Sequence, residues 1–172
     1  MADKNLRLQI ILEGLDRITA PLKSITGASS NARRDLAKTH DELKSLDALQ
    51  KQVGSYKAKQ SGLATNTKAY HEQQGKLAAM QMQLEATAKP TKKLRDEFAR
   101  AERQVAQLGN QLDKGRADLQ QLSGKLSEAG IDVNALAVNE ERLARKVGAA
   151  NSALEQQTAQ LDKVNRAHSH PR

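Results

Sequence analysis

Four histidines are the first residues to weigh for chemistry: His40, His71, His168 and His170. A catalytic zinc needs three protein ligands converging on one point, and a general base needs a pocket that tunes its pKa. His71-Glu72 are neighbours on a polar helical stretch with no third ligand at metal spacing, so they read as a solvated pair. His168-Ser169-His170 can hold a stray metal ion weakly, but it sits in a polar terminal tail. Glu140-Glu141 fall on a helix surface with no cleft to perturb them. No phosphate-binding glycine loop, dinucleotide fingerprint, nucleophile elbow or zinc-binding helix motif occurs. The expectation is a protein without catalytic residues, cofactor or metal site. Three basic clusters, Arg33-Arg34, Lys57/Lys59 and Lys89/Lys92/Lys93/Arg95, have the charge to meet phosphates. They lack interleaved aromatics for base stacking and any recognition-helix signature, so nucleic acid is not the expected partner.

Composition points away from a globular core. The chain has 172 residues, of which 38% are hydrophobic but only 2% aromatic, with no Trp. Rings normally supply much of a compact core's buried area. Here the apolar share rests on Ala and Leu among Gln, Lys, Arg and Glu, a mixture that favours long helices. Mean hydropathy is −0.71 and net charge +8. Acids are interspersed with the bases, which suits a solvated helix face. The absence of cysteine excludes a disulfide framework and suits a reducing cytoplasm. No signal peptide opens the chain, and no apolar run of about 18 residues is present to span a membrane.

The elements that must position any interaction surface follow from periodicity. From Leu94 onward apolar positions step by four and three: Leu94, Phe98, Ala101, Val105, Leu108, Leu112, Gly115, Leu119, Leu122, Leu126 and Ala129. Such a narrow stripe is the seam of a coiled coil, and Gly115 alone brings no side chain to it. The fold class expected is all-α: elongated coiled-coil helices with a possible helical hairpin and a short N-terminal β-strand. Residues 1–14 hold that strand. Leu6, Leu8, Ile10 and Leu12 alternate with Arg7, Gln9, Ile11 and Glu13, a period of two closed by Gly14. The competing reading is an extension of the following helix, or a segment that orders on binding.

Residues 15–88 read as a long interrupted helix. Leu15, Ile18, Leu22, Ile25, Ala32, Leu36, Leu43 and Leu46 keep heptad phase, with Ser29 and Thr39 as polar members. Gly27–Asn31 is a candidate break. The phase slips by three residues at Leu46–Leu49. The stripe then runs through Val53, Tyr56, Leu63, Tyr70, Leu77 and Leu84, with Gln60, Thr67, Gln74 and Gln81 between. Gly54, Gly62 and Gly75 each cost about 1 kcal/mol against Ala, so this stretch needs partners.

Lys89-Pro90-Thr91 interrupts the helix, because Pro lacks an N–H and restricts the residue before it. Residues 89–131 carry the heptad seam, 132–167 a second heptad helix, and 168–172 a disordered tail. Between the two helices, Gly130 fits the left-handed position after a helix, with Ile131 returning to Leu126. Asp132 can cap the next helix while Ile131 staples onto Leu136. A short turn of this kind favours antiparallel neighbours. Against that, the phase continues unchanged through Val133, Leu136, Leu143, Val147, Ala150, Leu154, Leu161 and Val164, with polar Glu140 and Gln157. A hairpin and a nearly continuous rod both stay open at this turn.

Three stretches together resemble the N-terminal region of phage and prophage tail tape measure proteins of the contractile-tailed type. They are the Leu6–Glu13 alternation followed by Leu15-Asp-Arg-Ile-Thr-Ala-Pro-Leu-Lys-Ser-Ile25, the Leu94-Arg-Asp-Glu-Phe98 start with Leu108 and Leu112, and Leu126-Ser-Glu-Ala-Gly-Ile-Asp-Val-Asn-Ala-Leu136. The resemblance implies a structural protein that sets tail length by templating tube polymerisation. It implies the tail tube protein and tail assembly chaperones as partners, beside self-association into a homo-oligomer. It places the chain in the bacterial host cytoplasm during assembly and then in the lumen of the virion tail. Members of that family are commonly longer, so the chain is expected to be a fragment, a truncated prophage product or a short relative. The alternatives are a generic coiled-coil adaptor and, behind it, a basic helical protein that coats nucleic acid.

Overall fold

The computed structural model describes residues 30–168. Three long helices account for nearly all of them: α1 at Ser30–Ala86, α2 at Lys92–Glu128 and α3 at Leu136–His168. A single 3₁₀ turn, Val133–Ala135, precedes α3. Among the described residues there is no strand. The alternating segment Leu6, Leu8, Ile10 and Leu12 lies outside the described residues, as does the polar tail after His168.

Why α1 runs unbroken for 57 residues is plain from its sequence. No proline falls between Ser30 and Ala86, and strong helix formers dominate. It starts within the expected Gly27–Asn31 break and passes through the phase slip without interruption. Leu46 and Val53 are buried on either side of the slip, and half-buried Leu49 and Gln50 share the step between them.

The helix ends where Pro90 forces it to. Thr87 N–H still reaches the Leu84 carbonyl at 3.3 Å, and its hydroxyl donates to Gln83 O at 2.6 Å. Thr91 is then extended (φ −67°, ψ 153°), and its side chain accepts from Leu94 N–H, so it caps α2. At its far end α2 closes in a Schellman motif. Gly130 takes φ +77°, its N–H donates to Ser127 O at 2.9 Å, and Ile131 N–H donates to Leu126 O at 2.8 Å. Only glycine reaches that φ without a Cβ penalty. Leu126 and Ile131, the apolar pair of this motif, are both buried.

The chain divides into two compact units. One is Gln52–Val133; the other joins Met1–Lys51 with Asn134–Arg172. Within the described part of the latter, the terminal unit, two stripes are buried: Leu36, Thr39, Leu43 and Leu46 on α1, and Asn139, Leu143, Val147, Ala150 and Leu154 on α3. Its buried Thr39 and Asn139 each bond to a backbone carbonyl four residues back. Thr39 Oγ1 donates to Asp35 O at 3.0 Å and Asn139 Nδ2 to Ala135 O at 3.1 Å. Asn139 occupies the step where heptad counting points to Glu140, which is half-buried beside it. Burying the neutral amide costs less than burying a carboxylate. Asp47 pairs with Lys51 at 2.8 Å through one oxygen. Its other oxygen, with Gln50 Oε1 and Gln157 Oε1, is buried without a hydrogen-bond partner.

Candidate functional site: the seam of the helical hairpin

Within Gln52–Val133, α1 and α2 form an antiparallel hairpin, and three contacts fix its register. Lys59 Nζ meets Asp118 Oδ2 at 2.6 Å. A Cβ added to Gly115 would lie 3.1 Å from Leu63 Cδ1, and one added to Gly109 would lie 3.6 Å from the Tyr70 ring. These pairs are all centred within half a residue of Lys89, so the two helices run back along each other from the Lys89-Pro90 break. The reversal within this unit is thus at Thr87–Thr91. The Gly130-Ile131-Asp132 turn stands instead at the end of the unit.

The α2 seam faces α1 along its length. Ala101, Leu112 and Leu126 are buried, and Leu94, Phe98, Val105, Leu108, Gly115, Leu119 and Leu122 are half-buried. Ala129, the last member of the expected series, is exposed, because the Schellman turn has already carried the chain off the helix. The first helix that covers this seam therefore belongs to the same chain, and seam periodicity gave no means of naming it.

On α1 the seam differs from the expected one at three steps. Val53, Tyr56, Leu63, Thr67, Tyr70, Leu77 and Leu84 are buried or half-buried, as expected of a seam. Gln73 and Met80 fill the intervening places, whereas Gln74 and Gln81 are exposed. Gln60 is exposed as well. The reason is visible in the polar contacts: Gln74 Nε2 donates to the Tyr70 hydroxyl at 2.8 Å and Gln81 Nε2 to Glu85 at 3.0 Å, both along the outer surface. Met80 is the better occupant, since an unbranched thioether fills an irregular gap that an amide enters only at a desolvation cost.

Big and small residues alternate across the seam. Leu63 sits over Gly115 and Tyr70 over Gly109, so bulk on α1 meets absence of bulk on α2. Glycine at seam position 115 thus has a packing reason. Gly54, Gly62, Gly75 and Gly124 have none: an added Cβ at each meets nothing within 4 Å. Each lowers helix stability by about 1 kcal/mol relative to Ala. The Lys59–Asp118 pair is largely exposed, and a surface pair of this kind contributes at most about 1 kcal/mol.

The other sequence candidates are placed without convergence. His40 Nδ1 lies 3.3 Å from Asp41 Oδ1 beside it in sequence, and His71 packs edge-on to Tyr70 at 5.8 Å. Among the described residues no group of three or more His, Cys, Asp or Glu is arranged to hold a metal ion. Asp132 and Glu140 each have a polar partner. Lys89, Lys92, Lys93 and Arg95 are exposed around the hairpin tip. Arg95 Nη2 donates to Pro90 O at 2.9 Å, and Lys93 approaches Glu97 at 3.9 Å. No helix among the described residues is long and apolar enough to cross a membrane.

Comparison with known proteins adds one relative. No family model matches the chain, and no solved structure matches it. The chain is 23% identical over 161 residues to the probable tape measure protein of Escherichia phage P2, a match that covers 94% of this chain and 20% of the relative. The chain thus spans about a fifth of that protein's length.

Proposed function

We propose that this chain is the N-terminal part of a tail tape measure, a structural protein of phage tail assembly. The observation that carries the reading is the match to the phage P2 protein, which runs through nearly the whole chain. Helical architecture suits the role, because a helix advances about 1.5 Å per residue and residue count becomes length. In this reading the helices serve as an internal gauge around which tube subunits polymerise. Tail tube protein and assembly chaperones are the partners. Copies of the chain associate through helix surfaces outside the hairpin seam. Catalysis plays no part in it.

The experiment is in-frame deletion in a phage whose tape measure carries this segment. Removing matched heptads from both arms of the hairpin, for example 63–69 with 109–115, keeps the register about Lys89. Virions should carry tails shortened in step with the residues removed, by a few tens of ångströms at most for such a pair. Tails of unchanged length across a series of such deletions would remove the gauge function. A generic helical adaptor is the competing assignment, and it predicts no change in tail length at all.

A further inference from the structure

We propose that the hairpin of α1 and α2 is a releasable fold: its two arms part along the seam, about the Thr87–Thr91 joint, and lie end to end. This rests on the tape measure reading for its purpose, but the opening itself is argued from the hairpin alone.

The seam is shallow. Along α1 from Tyr56 to Leu84 every seam side chain stays at least partly exposed, and Thr67 and Gln73 are among them. Opening therefore exposes less new apolar surface than parting a fully buried core would. The cross-arm ion pair is on the surface, where water replaces it readily. The joint holds nothing shut. Its hydrogen bonds stay within each helix end: Thr87 back to Leu84 and Gln83, Thr91 forward to Leu94 and Arg95, and Arg95 to Pro90. Pro90 also prevents the arms from fusing into one helix, so the joint survives in both states. Four helical glycines with open space around them keep the arms weak individually, which lowers the barrier to local opening. The consequence is a change of span. Closed, the unit extends about the length of α2, roughly 55 Å; opened, its two arms reach roughly twice that.

The chain has no cysteine, so a pair introduced as Leu63→Cys with Gly115→Cys reports on the seam without background. Removing the Leu63 branch makes room for the second side chain, since Leu63 Cδ1 is what a Cβ at Gly115 would meet. In the free full chain, mild oxidation should link the two positions within one molecule. In intact virions carrying the same substitutions that link should fail, because in the opened state the positions lie roughly 75 Å apart. An intrachain link formed equally well in virions overturns the proposal, and so does failure of the free chain to form it.

Hydrogen exchange provides the second arm. Oxidising the pair in the free chain should slow exchange of amides in both hairpin arms by at least about tenfold, because a parted arm with uncovered glycines frays far more readily than a paired one. No slowing overturns the proposal. If the chain is absent from virions, the tape measure reading falls, and the exchange measurement alone decides whether the hairpin opens.

Discussion

The two units bury their helices differently. In the terminal unit Leu36, Leu43 and Leu46 of α1 and Leu143, Val147, Ala150 and Leu154 of α3 are buried, Leu36 and Leu43 almost completely. In the hairpin unit, Ala101, Leu112 and Leu126 are the buried seam members of α2, and α1 contributes Val53. The same heptad logic thus produces a dry stripe in one place and a wet one in the other. The difference lies in what fills the seam. The terminal stripe admits Thr39 and Asn139, each bonded to a backbone carbonyl four residues back, whereas the hairpin alternates large with absent side chains and adds Thr67 and Gln73. Coiled-coil periodicity therefore says which face is covered, and seam composition says how firmly.

The sharpest way to break this comparison is truncation in each unit. Leu43→Ala, at 1% exposure, should cost about 3 kcal/mol, while Leu77→Ala on the half-buried seam should cost about 1 kcal/mol, both by denaturant unfolding. Equal losses would mean that the two seams hold alike. Next in size is Gly115→Leu, which overfills the hole under Leu63 and should destabilise by about 2 kcal/mol. A neutral outcome would show that Leu63 is free to turn away, and that big–small matching does not set the register.

Smaller and of opposite sign is Gly62→Ala. Nothing lies within 4 Å of the added carbon, so melting should rise, with a gain of about 1 kcal/mol. A loss there would reveal a neighbour that the hairpin geometry does not include. The least effect is expected from Lys59→Ala, below about 1 kcal/mol and shrinking further in high salt. A larger, salt-insensitive loss would make the pair a true clasp of the hairpin.

Legibility in the sequence followed the range of the interaction. The Gly130 turn was readable because all its determinants sit within a few residues: a left-handed glycine, the Leu126 carbonyl and the two apolar side chains around it. The α2 seam was readable because Leu, Val and Phe mark it at nearly every step. The α1 seam was not fully readable, since Gln73 and Gln74 are the same residue and only the partner helix decides which one turns inward. Met80 against Gln81 is decided in the same way. The hairpin at Lys89-Pro90 was legible as a break but not as a reversal, because a seam records that it has a partner without recording which. The alternating Leu6–Leu12 segment belongs to residues outside the description, and the comparison with the P2 protein, not any side-chain geometry, carries the functional reading.

The centring of the seam contacts near Lys89 has a consequence for how such a chain can change length over evolutionary time. A single residue gained in one arm slides every seam side chain on that side of it past its opposite number. It would aim Leu63 away from Gly115 and Tyr70 away from Gly109. Only insertions or deletions made equally on both sides of Lys89, in whole heptads, leave the matching intact. Natural variants of this segment should therefore differ by mirrored pairs of heptads about the proline, so that lineage history is written as a palindrome of lengths.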